Sequence, residues 1–433
     1  MKHQKFIHEA NDWPNFTWDA GIVSELLEKV SHHIGVMAGR LKYIGFEGLM
    51  QTTMESVTYD IVASSEIEGV SLNTDEVRSS VARRLGISIK DEKEPTHYVE
   101  GIVSMMMDAV MKFDTPLTHE RLYGWHAALF PNGYSGIDKI CVGKYRSEGM
   151  KVISGAIGRE QVHYVAPAPE RLKVEMERFL NWFNDEDKQP ATLIKSAIAH
   201  LWFVCIHPFD DGNGRISRAL SDMVLSQTDG SRFRYFSISR EICRDKRHYY
   251  NILERTTSHD SCEITEWVVW YLKCIDNAVT ESESLLSTVL SKTTFWQCHS
   301  KKVLTERQQH GLNIFLDGYE AKITAKNWAR LLDVSTDTAL RDIRELVEKQ
   351  ILKPVKGRVR DVCYNIVYSN EEKLLACLTK IKLSHTEKDT YITATFNALQ
   401  TVSERISTLD FQRYEQGELD LNSLATKYFA YLG

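Results

Sequence analysis

The chain has 433 residues, 43% hydrophobic and 26% charged, ordinary values for a soluble globular protein of two to four domains with a sizeable core. A formal charge of −6 argues against a protein coated in nucleic acid and leaves local basic patches open. Eight cysteines without CxxC pairs or zinc-like spacing argue against a disulfide scaffold and for reduced thiols.

The N-terminal MKHQKFIHEANDWPNFTWD lacks the apolar core of a signal peptide. Apolar positions at helical spacing fill residues 20–60, and a helix is expected over residues 54–68, stopped by Gly69. Residues 151–164, KVISGAIGREQVHY, place short apolar pairs around a Gly-rich turn and read as a β-hairpin. A helix over 170–183 follows APAP. The most apolar stretch, AIAHLWFVCI at 197–206, is too short to span a bilayer and reads as a buried helix, so no membrane partner and a cytoplasmic location are expected. The composition shift at 281–292 marks a helix edge or a linker. Two short helical patterns then meet around Asp333-Val334-Ser335, with Ser335 or Thr336 as N-cap, and VKGRVRDVCYNI looks like a two-stranded turn. A helix-turn-helix followed by a hairpin resembles a winged-helix domain. The end of the chain, 369–433, has helical spacing and no readable role.

Residues 207–218 read HPFDDGNGRISR. Gly212, Asn213 and Gly214 can fold tightly and turn several N–H groups into one concavity, which suits an anion. A helix starting there adds the positive end of its dipole. Arg215 and Arg218, three apart, share a helical face and match polyphosphate oxygens. A carboxylate beside phosphate needs a divalent cation between them, and magnesium commonly sits on one or two carboxylates plus phosphate oxygens. Asp211 is the better ligand candidate, with Asp210 facing away or stabilising the loop. His207 is placed to take a proton from an attacking hydroxyl. Taken singly, each residue has a structural explanation; together they point to transfer of a phosphate-linked group to a hydroxyl. A zinc hydrolase fits less well, since His207 has no second His at metal-ligand spacing.

The stretch resembles the Fic family signature, His-x-Phe-x-(Asp/Glu)-Gly-Asn-Gly-Arg-x-x-Arg, through His207, Phe209, Asp211, Gly212, Asn213, Gly214, Arg215 and Arg218. GKYR at 143–146, HYVAPAP after the hairpin and ISREICRDKRHYYNIL downstream extend the likeness over most of 60–280. The resemblance implies a mainly α protein. Its parts would be a helical N-terminal region (1–115), a Fic-type helical core with a β-hairpin flap (116–290), a winged-helix-like domain (300–368) and a helical tail (369–433). It also implies an adenylyltransferase moving AMP from ATP to a Ser, Thr or Tyr hydroxyl of a target protein. His207 would then be the base and Asp211 the Mg2+ ligand. Gly212, Asn213 and Gly214 would form the anion nest, Arg215 and Arg218 would hold the phosphates, and Phe209 would anchor the loop. The hairpin at 152–164 would align the target by strand pairing. Tyr249 and Tyr250 are candidates for the adenine pocket or, equally, for core packing.

SSEIEG at 64–69 is similar to the family's inhibitory motif, (Ser/Thr)-x-x-x-Glu-(Gly/Asn), through Ser64, Glu68 and Gly69. Glu68 would pair with Arg218 and leave ATP only an unproductive pose. Two other readings stay open. A Fic-fold enzyme can run in reverse or transfer another phosphate-linked group. Residues 300–368 can bind DNA, or serve protein docking or a homodimer. There, the second helix mixes Arg341 and Arg344 with Asp337, Asp342, Glu345 and Glu348, while the hairpin carries Lys353, Lys356, Arg358 and Arg360.

Overall fold

The computed structural model describes residues 5–41, 45–89, 91–154, 161–185, 190–228, 234–299, 302–316, 319, 321–355 and 362–367. The expected hairpin tip, Lys356, Arg358 and Arg360, and the tail at 369–433 lie outside these. Contacts divide the chain into two units, Met1–Ala38 with Leu49–Ser282, and Gly39–Gly48 with the chain from Glu283 on. Among the described residues no helix is long and apolar enough to cross a membrane.

In chain order the helices are α1 (Ala20–Leu41), α2 (Gly45–Ile67), α3 (Thr74–Leu85), α4 (His97–Met111), α5 (His119–Leu129), α6 (Leu172–Asn184), α7 (Thr192–Ile206), α8 (Asn213–Thr228), α9 (Ile238–Arg244), α10 (Lys246–Thr257) and α11 (Thr265–Cys298). Two antiparallel hairpins interrupt them: β1 (Tyr134–Ser135) with β2 (Asp138–Lys139), and β3 (Lys151–Ser154) with β4 (Gln161–Val165). The fold is mostly helical, as expected.

The near-continuous apolar run of α7 explains the arrangement. Leu193, Ala197, Leu201, Phe203 and Cys205 point in different directions around the helix, and all are buried. A helix apolar all round has a stable place only in the middle of other elements. Accordingly α7 packs along α8 and against α6, and α8 also meets α4 and α5. The N-terminal stretch closes one flank. Trp13 donates from Nε1 to the buried Glu175 at 2.9 Å, and its ring meets Trp202 edge-on at 6.2 Å.

The second unit holds α12 (Glu306–Leu316), α13 (Ala325–Leu331), α14 (Thr336–Glu348) and a hairpin of β5 (Leu352–Pro354) and β6 (Tyr364–Ile366). Ser335 caps α14 by accepting from the Thr338 N–H at 3.2 Å. Trp328, Leu312, Ile343, Leu346 and Ile351 form its core. Asp342 is not part of this unit's surface charge. It is 2% exposed, and its two oxygens accept from Arg307 at 2.7 and 2.8 Å. The polar run at 281–292 is neither linker nor helix edge but lies inside α11. Once the apolar turns upstream have nucleated a helix, adding polar residues costs little.

Candidate active site

The reactive loop is the link between the two central helices. The last turn of α7 ends at His207, which caps it in the left-handed conformation (φ 49°) and donates its N–H to Phe203 O. A non-glycine residue there costs about 1–2 kcal/mol, so something must hold it. Phe209 supplies one hold. It is fully buried and stacks on His126 with centroids 4.3 Å apart. Asn213 supplies another, its amide accepting from Phe209 N (3.0 Å) and donating to Phe209 O (2.8 Å). The Asn213 side chain therefore closes the loop.

Gly212 has φ 83°, and a Cβ there would lie 2.9 Å from the Phe130 ring and 3.1 Å from Leu129. Only glycine lets the chain turn here into α8. The first-turn N–H groups of α8, from Asn213, Gly214 and Arg215, have no intrahelical acceptor, the arrangement that suits an anion at a helix N-terminus.

Arg215 and Arg218, 3% and 2% exposed, stand on this helix as the spacing predicts. Arg215 donates to the Tyr98 hydroxyl at 2.9 Å, lies 3.5 Å from Asp211 Oδ2 and packs over the Phe130 ring. Its Nε, and Nη1 of Arg218, are buried without a hydrogen-bond partner among the described residues. Buried unsatisfied donors of permanent cations are costly, and an anion supplies what they lack.

The His207 ring has a defined tautomer. Nδ1 lies 3.2 Å from Val204 O, which can only accept, so Nδ1 carries the hydrogen and Nε2 has the free lone pair. Burial pushes the imidazole below its ordinary value despite the Val204 bond, so the ring is neutral near pH 7. Asp211 accepts from the Ser135 hydroxyl and from the Gly212 N–H (2.5 Å), and Asp210 accepts from the Cys141 N–H at 2.8 Å. Asp210 thus stabilises the loop, the second of its two expected roles. Ser135, Tyr98 and His126 were not singled out by sequence; only the Asn132-Gly133 turn ahead of Ser135 offered a signal.

Helix α2 delivers the second motif to the same place. Its end is a Schellman turn: Val70 N–H bonds Ser65 O, Gly69 N–H bonds Glu66 O, and Gly69 sits at φ 79°. Glu68 is thereby fixed in the turn that directly follows the helix, four residues beyond Ser64 and on the same side. Both reach Arg218. Its Nε donates to Ser64 Oγ (2.8 Å), and its Nη2 donates to Ser64 O (2.8 Å) and Glu68 Oε1 (2.7 Å). Burial alone disfavours the Arg218 charge, but the Glu68 carboxylate holds its pKa above the usual value. A Cβ at Gly214 would collide with Glu68 Oε1, so that glycine admits the carboxylate to the start of α8.

Deeper along the same helices, one turn before Ser64 and one turn after Arg218, Asp60 meets Asp222. Both are buried. Asp60 accepts from Ser237 Oγ, Ser239 N and Ser239 Oγ, while Asp222 pairs with Arg234 at 2.5 Å. Burial, then the Asp60 carboxylate, raises the Asp222 pKa well above normal, against the opposing pull of Arg234. Tyr249 is 2% exposed and its hydroxyl lies 2.9 Å from His200 Nε2, a core position. Tyr250 is 43% exposed, its hydroxyl donating to Ile67 O at 3.3 Å.

Residues 116–225 match the model of the Fic/DOC family, and residues 6–87 match a domain of unknown function (DUF4172). The chain is 27% identical over 223 residues to a protein adenylyltransferase Fic of Drosophila willistoni, covering 51% of this chain and 35% of that one. The similarly named protein of Drosophila virilis is 26% identical, covering 51% and 36%. The chain spans about a third of the length of the curated relatives it matches. A crystal structure of a Fic family protein from Desulfovibrio desulfuricans G20 superposes with TM-score 0.50 at 18% identity, covering 80% of this chain and 96% of that one, and shows a shared fold. A signature loop between two buried helices, a family match that takes in this loop and a shared fold agree: residues 116–225 form a Fic/DOC-family domain.

Proposed function

We propose that the chain is a protein adenylyltransferase, moving AMP from ATP to a Ser, Thr or Tyr hydroxyl of a target protein, and that Glu68 holds it inactive. The observation that carries this reading is Arg218: a buried guanidinium at the start of α8, with one bond to Glu68 and one nitrogen left without a partner. A phosphate oxygen would complete it; Glu68 stands in the way.

The chemistry follows from the loop. His207 Nε2 takes the proton of the acceptor hydroxyl, whose oxygen attacks the α-phosphorus. The bond from that phosphorus to the bridging oxygen breaks, and pyrophosphate leaves. The first-turn N–H groups of α8, with Arg215 and Arg218, hold the phosphates and offset the charge that builds on them. Magnesium fits the donor set: Asp211 is a partly exposed carboxylate beside Arg215, and one carboxylate plus phosphate oxygens is a common magnesium arrangement. The ion would neutralise phosphate charge. Val152, Ile153 and Val162, exposed on β3 and β4, offer a hairpin on which a target chain could pair. Tyr250, at the rim, is the better of the two tyrosines for contact with adenine.

For residues 302–367 the order of three helices and a hairpin supports a winged-helix reading. Burial of Asp342 removes one acid from the face that would meet DNA. A salt-dependent gel shift with the full chain decides between duplex binding and a docking role.

The test of the main reading is incubation with magnesium and ATP labelled at the α- or γ-phosphate. Glu68→Gly should raise incorporation of the α-label, and His207→Ala should abolish it. Retention of the γ-label would indicate kinase-like transfer and sink the proposal.

A further inference from the structure

Arg146, in the GKYR stretch, is 3% exposed, and its four bonds all go to main-chain carbonyls. Its N–H donates to Pro208 O (2.9 Å), and its Nε to His207 O (2.8 Å). Nη1 donates to Glu148 O (2.7 Å) and Nη2 to Pro167 O (2.6 Å). The acceptors belong to three places. His207 and Pro208 are the reactive loop; Glu148 leads into β3, and Pro167 follows β4. Ala166 N–H to Met150 O (3.0 Å) closes the two strands just above.

Burying a guanidinium is expensive, and a methionine or leucine would fill the space without that cost. What an apolar residue cannot do is hold three segments through one rigid plane, which is what the guanidinium fork provides. One of those segments is the left-handed His207, whose backbone needs an external hold. We infer that Arg146 is a positioning residue that keeps the β3–β4 hairpin and His207 in one register, so that a hydroxyl on a hairpin-paired chain arrives at Nε2. This rests on the adenylyl-transfer reading.

The test uses the full chain carrying Glu68→Gly, with Arg146→Lys and Arg146→Met added separately. Lysine keeps the charge and loses the fork. A misplacement of about 1 Å costs roughly a hundredfold in rate, so self-modification with α-labelled ATP should slow by about that factor in both variants. The ATP concentration giving half the maximal rate should stay within about twofold, because Arg215 and Arg218 are untouched. Hydrogen exchange provides a readout independent of transfer: amides of Lys151–Ser154, Gln161–Val165 and 207–209 should quicken together, with those of α8 unchanged.

A lysine variant as fast as its parent overturns the inference. So does a rise in half-saturating ATP matching the rate loss, or faster exchange in the hairpin alone. Loss of the thermal transition in both variants likewise overturns it, in favour of a purely structural role. If Glu68→Gly transfers no AMP, the functional reading fails, and exchange alone decides whether Arg146 joins hairpin and loop.

Discussion

Replacing Glu68 by alanine should have two opposed effects, and their coexistence is the test. The Arg218–Glu68 bond is 2.7 Å long, and the side chains are 2% and 27% exposed. A hydrogen bond to a charged group contributes about 1.5–3 kcal/mol, an exposed ion pair about 0–1. With Glu68 about a quarter exposed, the lower part of the first range applies, about 1.5–2 kcal/mol, or roughly ten- to thirtyfold in an equilibrium constant. Without nucleotide, the variant leaves a buried cation short of its carboxylate, and the melting temperature should fall by about 3–8 °C for a unit of this size. With nucleotide, the same change frees Arg218, and MgATP should bind about ten- to thirtyfold more tightly and restore the lost stability. Calorimetric titration and scanning on a His207→Ala background, which stops turnover, measure both. Tighter binding without thermal loss, or loss without tighter binding, would refute the competition between Glu68 and phosphate.

Three further outcomes follow from the geometry. Burial holds His207 below its ordinary pKa of 6.5, and the base must be neutral, so transfer by Glu68→Ala should be level above pH 6.5 and decline only below it; a half-maximal point above 6.5 removes His207 as the base. At Gly69, an added Cβ meets nothing, yet φ is 79°, so Gly69→Ala costs about 1–2 kcal/mol of backbone strain and should mis-aim Glu68. Its melting point should drop while self-modification rises, and an unchanged rate would separate the helix cap from inhibition. Asp222 keeps in the folded chain a proton that the unfolded chain releases above its ordinary pKa, so wild-type stability falls as pH rises from there to the raised value. Asp222→Asn carries no such proton, and its stability relative to wild type should climb across that window; a pH-independent difference in melting temperature contradicts the raised Asp222 pKa.

The parts that could be read beforehand are those whose chemistry sits in consecutive side chains. HPFDDGNGRISR carries its own turn, charges and titratable ring, and the four-residue gap from Ser64 to Glu68 is one helical turn. Contacts made through the backbone leave no such mark. Arg146 works on the carbonyls of His207, Glu148 and Pro167, atoms every residue possesses, so its partners cannot be named from residue types. Ser135 and Tyr98 reach Asp211 and Arg215 across 76 and 117 positions, distances over which no periodicity speaks. Asp342 looked like one of several surface acids because helical spacing does not reveal that Arg307 covers it.

Where the family match begins is also not where the folding unit begins. A fragment starting at residue 116 would strip Asp60, Ser64 and Glu68 from Arg218 and Asp222, which are 2% and 3% exposed in the whole chain. It would also remove Trp13 from Glu175 and His8 from Tyr164. Such a truncation would meet water with a bare acidic and basic seam down its central helix, and its insolubility would say nothing about catalysis.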